Sequence, residues 1–243
     1  SGLICGFLFA ADGLGTAIGG DEALAWLASA PNNGFVWLHF NLAHVSTEKW
    51  LRDHVNLPEV FHDSLREVSR STRVELDNDT LVAVVNDVHY GFAFEPSDIS
   101  TLWLSASPSL VVSVRLQPLR SIDRLRDAVK RGTPLRSTVA LMVQLMHDQG
   151  DVLMGIVRET TARVDSSEDN LLSGRTQALR ADLGALRRLL ARLQRLLAPE
   201  PAALFRLLQK PPAWFSSADV HDLNQSTEEF NLALRDMAAT FAR

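Results

Sequence analysis

In the last stretch of this chain, residues 216 to 243, seam positions fall at Val220, Leu223, Thr227, Phe230, Leu234, Met237 and Phe241. The steps alternate three and four, which is the seam of a helix packed lengthwise on other helices. A second seam runs through Leu179, Leu183, Leu186, Leu190, Leu193 and Leu197 with the same alternation. Two such seams must be buried along partner helices, so this part of the chain is a helical bundle. No Gly, Asn or Pro follows the last seam residue, only Ala242 and Arg243. Helices usually end on such a stop signal. The expectation is therefore a piece of a longer protein that continues where this helix points. A start at Ser1-Gly2 without Met agrees with it.

The helical grammar holds from 134 onward. A first long helix is expected over 135–172, broken by Ser173-Gly174. A second is expected over 175–210. Pro199 and Pro201 interrupt or kink it and Pro211-Pro212 end it, because proline lacks the N–H and clashes with the preceding turn. The third begins near Ser216, where Ser216 or Ser217 can cap. Helices this long exceed what a compact domain needs, so they should project from the rest.

Residues 1–133 read differently, as short strands, turns and short helices. An apolar run over 6–11 stops at Asp12-Gly13, a hairpin signal. Asp21 can cap a helix reaching Ser29. Residues 35–42 have little polar relief, which predicts a central strand covered on both faces. Ser46 and Pro58 open two more helices. Strands over 73–76 and 80–90 flank Asp77-Asn78-Asp79, and strands over 99–106 and 110–116 flank Ser107-Pro108-Ser109. Pro118 opens a helix that stops at Gly132. The order predicts an α+β fold of α/β/α type, a mixed sheet with flanking helices, followed by a bundle of long helices that projects from it. The expected division is 1–133 for the sheet unit and 134–243 for the helices.

Composition narrows the function classes. Net charge is -5 with pI about 5.8, against the basic footprint of a nucleic-acid binder. A single cysteine, Cys5, excludes an intramolecular disulfide and a multi-thiolate zinc finger. Its apolar neighbours suit a small buried hydrophobe. No run of about 18 apolar residues occurs, so no membrane-spanning helix is expected within these residues. There is no signal-peptide pattern, and an intracellular compartment is the default expectation.

Several stretches occur in an order that matches a known family: WLHFNLAHVSTEKWL over 37–51, LPEVFHDSL over 57–65, DNDTLVAV over 77–84, EDNLL over 168–172, Leu197-Ala198-Pro199, and PAWFS before the last helix. Together they resemble the cytoplasmic domain of the CorA-type metal-ion transporters, most closely the ZntB-like zinc branch. The resemblance implies a sheet-and-helix domain followed by long helices, the last of them a stalk leading into two membrane helices. It implies a homopentamer around a central pore on the cytoplasmic side of the inner membrane, with divalent cations as cargo and no enzyme activity. The family's Gly-x-Asn selectivity loop follows the first membrane helix and has no counterpart in this sequence. Zinc as the transported ion, weakly bound, rests on the resemblance alone.

Candidate metal-binding residues lie on the helical part. His147 and Asp151 are four apart with Asp148 beside them, which places an imidazole and a carboxylate on one helix face, half of a zinc site. The alternative is a solvated polar face. His221 and Asp222 lie on the last helix, where an oligomer would turn one residue per chain into a ring. His221 also adjoins the seam at Val220 and can point outward instead. Glu168 and Asp169, with Asp165, form an acidic turn that attracts cations or pairs with Arg163 and Arg175. His39 alternates with Trp37 and Phe35, as a hydrogen-bonded core histidine would. Six arginines from Arg175 to Arg195 suit pairing with Asp165, Glu168, Asp182 or Glu228 across the bundle.

No G-x-S-x-G elbow or other catalytic set is present. The segment from Gly13 to Gly20 spaces its glycines one residue too long for a dinucleotide-binding fingerprint, which makes it a hairpin with a helix start. Two other functions remain expressible in these residues: a helical scaffold with an α+β head, and, on the glycine segment, a nucleotide-dependent oxidoreductase.

Overall fold

A computed structural model of the chain describes residues 1–29, 33–67, 70–93, 98–171 and 176–241, with side chains outside the description at 165, 167–171, 176–182, 240 and 241. Among the described residues, seven strands and eight helices follow one another as β1 Leu3–Phe9, β2 Gly15–Ala17, α1 Gly20–Ala28, β3 Phe35–Asn41, α2 Thr47–His54, α3 Glu59–Arg66, β4 Arg73–Asp77, β5 Thr80–Val88, β6 Ile99–Ala106, β7 Leu110–Arg115, α4 Arg120–Lys130, α5 Thr138–Leu171, α6 Thr176–Leu197, α7 Pro199–Gln209 and α8 Ser217–Phe241. The strands form one sheet in the order β2-β1-β3-β7-β6-β5-β4. Among the described residues β3 and β7 pair in parallel, with Trp37 opposite Val111, and the other neighbouring pairs are antiparallel.

Alternation along β3 sets the layers, because successive strand side chains point to opposite faces. Val36, Leu38 and Phe40 join Val82, Val84, Trp103 and Val112 against Leu51 of α2 and Phe61 of α3. Phe35 and Trp37 join Phe7, Leu104 and Val111 on the other face, in one core with residues of α4 through α8. All residues from Phe35 to Phe40 are buried, as a central strand requires. The result is the expected α/β/α arrangement with long helices on one face.

Local chemistry explains the connections. The β4–β5 hairpin turns through Asn78 and Asp79, both at positive φ, which these short polar residues tolerate best. The expected cap at Asp21 is displaced: α1 starts after Gly19, whose N–H donates to Glu22 Oε2 at 2.8 Å, so Asp21 falls in the first turn. Ser46 precedes α2 but its hydroxyl lies 3.0 Å from His44 Nδ1 rather than on the helix. Proline 199 divides the expected second long helix into α6 and α7, taking the first position of α7, where a missing N–H is harmless.

The middle of the α8 seam is buried as its spacing predicts: Leu223, Thr227, Phe230, Leu234 and Met237 are all inaccessible or nearly so, while Val220 is partly buried and the Phe241 side chain lies outside the described residues. Its partner is α5. Contacts join Ser137 to Asp219, Met146 to Ser226 and Met146 to Thr227, residues 82, 80 and 81 apart. A constant offset means that the two helices run parallel. α6 turns Leu186, Leu189, Leu190, Leu193 and Leu197 into the same core.

Candidate functional site

Parallel packing of α5 and α8 brings His147 opposite Glu229. The His147 Nε2 to Glu229 Oε2 distance is 3.4 Å, and both side chains are about half exposed. They line a groove of about 180 Å³ with Gly150, Asp151, Met154 and Ser226. Gly150 supplies part of the opening, since the nearest side chain to a Cβ placed there is Phe230 at 3.9 Å. Asp151 shares the groove, one turn from His147, and lies 3.4 Å from Arg124 of α4. Imidazole nitrogen and carboxylate oxygen at this separation are two ligands that a divalent ion accepts.

Asp148 does not join this face. One residue past His147 is a rotation of about 100°, and Asp148 turns inward, buried, with Gln144 Nε2 donating to it at 3.2 Å. Burial raises its carboxyl to about 6. Asp87 of β5 is also buried; it accepts from the Ser121 hydroxyl and from the Val88 N–H, and burial holds it near 6. Glu200 of α7 is the most displaced: burial, then the nearby Asp87, push it up to about 8. Of these inward acids the sequence singles out only Asp148, and as a surface companion of His147; Asp87 and Glu200 carry no such signal.

His221 and Asp222 are exposed, on the side of α8 away from the seam. Glu168 and Asp169 lie in the last turns of α5, and their side chains fall outside the described residues. Among the described residues, no three His, Cys, Asp or Glu side chains converge as a complete metal cage. Arg187, Arg188, Arg192 and Arg195 are exposed. Of the acidic partners expected for them, Glu228 accepts from Asn224 at 2.9 Å, while the side chains of Asp165, Glu168 and Asp182 lie outside the description.

His39 is a core residue. Ser113 Oγ lies 2.8 Å from both Trp37 Nε1 and His39 Nδ1. Indole nitrogen is only a donor, so the serine hydroxyl accepts from Trp37 and donates to His39. Burial, then Arg115 and Arg126, depress the imidazole to about 3, so it is neutral. The glycine segment is structural too. Gly13 has φ +83, and its carbonyl accepts from Leu135 N–H at 2.8 Å, pinning the β1–β2 hairpin to the start of the helical part.

The profile of the family described as CorA-like Mg2+ transporter protein matches residues 32–243. The chain belongs to the CorA family. Among curated relatives, the zinc transport protein ZntB of Yersinia enterocolitica is 24% identical over 207 residues, 85% of this chain and 63% of the relative. The divalent cation transporter CmaX of Pseudomonas aeruginosa is 26% identical over 238 residues, 97% of this chain and 71% of the relative. The chain thus spans roughly two thirds of these family members. Its fold matches the full-length CmaX structure with TM-score 0.86 at 24% identity, covering 99% of this chain and 74% of that one. The ZntB cytoplasmic domain of Vibrio parahaemolyticus matches with TM-score 0.74 at 17% identity, covering 99% and 93%. Among the described residues, no helix is long and apolar enough to cross a membrane.

Proposed function

We propose that this chain is the cytoplasmic part of a divalent-cation transporter of the CorA family, a homopentamer at the inner membrane whose sheet unit, 1–133, carries the helices of 134–243 as a funnel. It performs no chemistry on its cargo. The two faces of α8 carry this reading. One face is used up on α5. The other leaves His221, Gln225, Glu228, Leu232 and Arg235 exposed at steps of four, three, four and three. Only Leu232 among them is apolar, so this is a polar seam, and we assign it to neighbouring copies of the chain. In a fivefold assembly His221, Asp222 and Glu228 become rings that concentrate cations along the axis.

Zinc is the cargo we favour. Its borderline softness suits an imidazole paired with a carboxylate, which magnesium does not select. His147 and Glu229 supply two protein ligands where a closed structural zinc site has four. Such a site binds weakly and releases its ion, as transport demands. Glu168 and Asp169 add acidic charge at the far end of α5.

Disulfide trapping tests the assembly. With Leu232→Cys, cross-linked species should be seen together with a native mass of five copies. A native mass that stops at two copies contradicts the pentamer. Calorimetric zinc titration tests the groove: His147→Ala and Glu229→Gln should each weaken binding at least tenfold, and His221→Ala should remove a separate, weaker phase. Unchanged titrations in all three contradict these assignments.

A further inference from the structure

Glu200 sits where a helix normally displays a carboxylate to water. It is the second residue of α7, a position that favours negative charge next to the helix N-terminus, yet it is 2% exposed. Its Oε2 has no hydrogen-bond partner among the described residues. Gln149 of α5 faces it, 4% exposed; its amide is near enough to favour the charged form of Glu200, yet neither its nitrogen nor its oxygen reaches hydrogen-bond geometry with any described group. The two side chains line a cavity of about 40 Å³ whose other walls are apolar, Val74 of β4, Leu104 of β6 and Leu223 of α8 among them. An isolated carboxylate in such a setting is strongly disfavoured, whereas a neutral acid is tolerated. A water needs roughly 10–15 Å³ of such space and two to four polar partners. Glu200 and Gln149 offer three unpartnered atoms beside a cavity large enough for one.

We propose that Glu200 is a proton-linked latch: α7 closes on α5 and the sheet with the Glu200 carboxyl protonated and bridged by water to the Gln149 amide, and α7 opens with loss of that proton. The charged groups around the latch reinforce it. Asp87 of β5 is the acidic neighbour that acts on Glu200 and raises its proton affinity. Asp148 of α5 lies within range of Asp87 and adds like charge. Arg124 of α4 acts on Asp148 at the surface side. The cavity walls from β4, β6 and α8 bring no charge that could compensate an ionised Glu200. α7 packs on both β4 and α8, so opening the latch frees one flank of the helix that carries the exposed seam. The latch is a property of the single chain and operates in a monomer as in an oligomer.

The sign follows from linkage. The carboxyl holds its proton up to about pH 8 when α7 is closed, and it titrates in the ordinary range, about 4.3, when exposed. Opening therefore releases a proton between these limits, and the opening constant rises about tenfold per pH unit until it levels near the closed-state value. Amide hydrogen exchange of α7, corrected for intrinsic exchange, reads this constant. In the wild-type chain it should climb about fiftyfold from about pH 6 to about pH 8. In Glu200→Gln, which keeps the shape and carries no titrating proton, it should be flat over the same range. A flat wild-type profile, or an equal slope in Glu200→Gln, overturns the latch. Infrared difference spectra of the wild type keep the test independent of the variant's folding. Loss of a buried protonated carboxyl band between neutral and alkaline pH is expected, and absence of any such loss overturns the proposal.

Discussion

Ser137 Oγ donates to Asp219 Oδ1 at 2.6 Å, and this bond ties the start of α5 to the start of α8. Each residue belongs to a helix cap. Ser137 Oγ also accepts from Ala140 N–H at 2.9 Å. Asp219 Oδ2 accepts from Ser216 N–H at 2.9 Å while Ser216 Oγ accepts from Asp219 N–H at 3.0 Å, a reciprocal capping box. One carboxylate therefore fixes two parallel helices at a common level, and the offset that places His147 against Glu229 is set there.

Asp219→Ala should remove the cap of α8 and the link to α5, destabilising the chain by about 1–2 kcal/mol. Ser137→Ala should cost about 1 kcal/mol. In urea unfolding the double variant should fall short of the sum, since both single changes break the same bond. Full additivity would mean that the bond contributes nothing in solution.

Phe230 is 2% exposed at the centre of the α5–α8 seam. Phe230→Ala should destabilise by about 3–5 kcal/mol, the range for truncating a large buried aromatic. A loss below about 1 kcal/mol by calorimetry would show that α8 is not held on α5 as described.

Glycines divide by backbone and surroundings. A Cβ at Gly155 in α5 meets nothing within 4 Å, so Gly155→Ala should stabilise by about 0.5–1 kcal/mol through helix propensity. Gly13 has φ +83, and a Cβ there would lie 2.9 Å from the Leu135 backbone nitrogen. Gly13→Ala should destabilise by about 1–2 kcal/mol from the left-handed backbone alone. Thermal midpoints moving in opposite directions would bear out the pair.

The buried His39 makes stability depend on acid. Its imidazole stays neutral in the fold down to about 3, against an ordinary value of 6.5. The unfolded chain therefore binds the proton first, and this contribution to stability is lost as pH falls from about 6.5 toward 3. His39→Leu should remove that part of the acid slope. Ser113→Ala should destabilise at all pH values, by about 1–3 kcal/mol for each of the two ring nitrogens it orphans.

What the sequence made legible was periodic. Alternation of three and four located α8 and α6 because each buries a single stripe, and the apolar run over 35–42 located β3 because both of its faces are covered. Single punctuating residues were less decisive. Asp21 reads as a cap, but Gly19 takes the extended conformation and Glu22 reaches back to it. The site was legible only by half. His147 and Asp151 announce a polar face through their spacing, whereas Glu229 joins His147 only once α5 and α8 are aligned 82 residues apart, a register no local pattern encodes. Glu200 was hidden altogether. After Pro199 it has the pattern of an ordinary first-turn acid, and its burial comes from the sheet and α5, far away in sequence. Asn86-Asp87, a polar pair closing an otherwise apolar strand, was the one local sign of that interior.

Cation flux tests the central claim most directly. The full-length protein containing this chain should be placed in liposomes loaded with a zinc-sensitive dye, with external zinc and then magnesium supplied. Saturable zinc uptake, reduced by His147→Ala and Glu229→Gln without loss of assembly, is expected. Dye signals no faster than in empty liposomes, for both ions, would contradict a divalent-cation transporter.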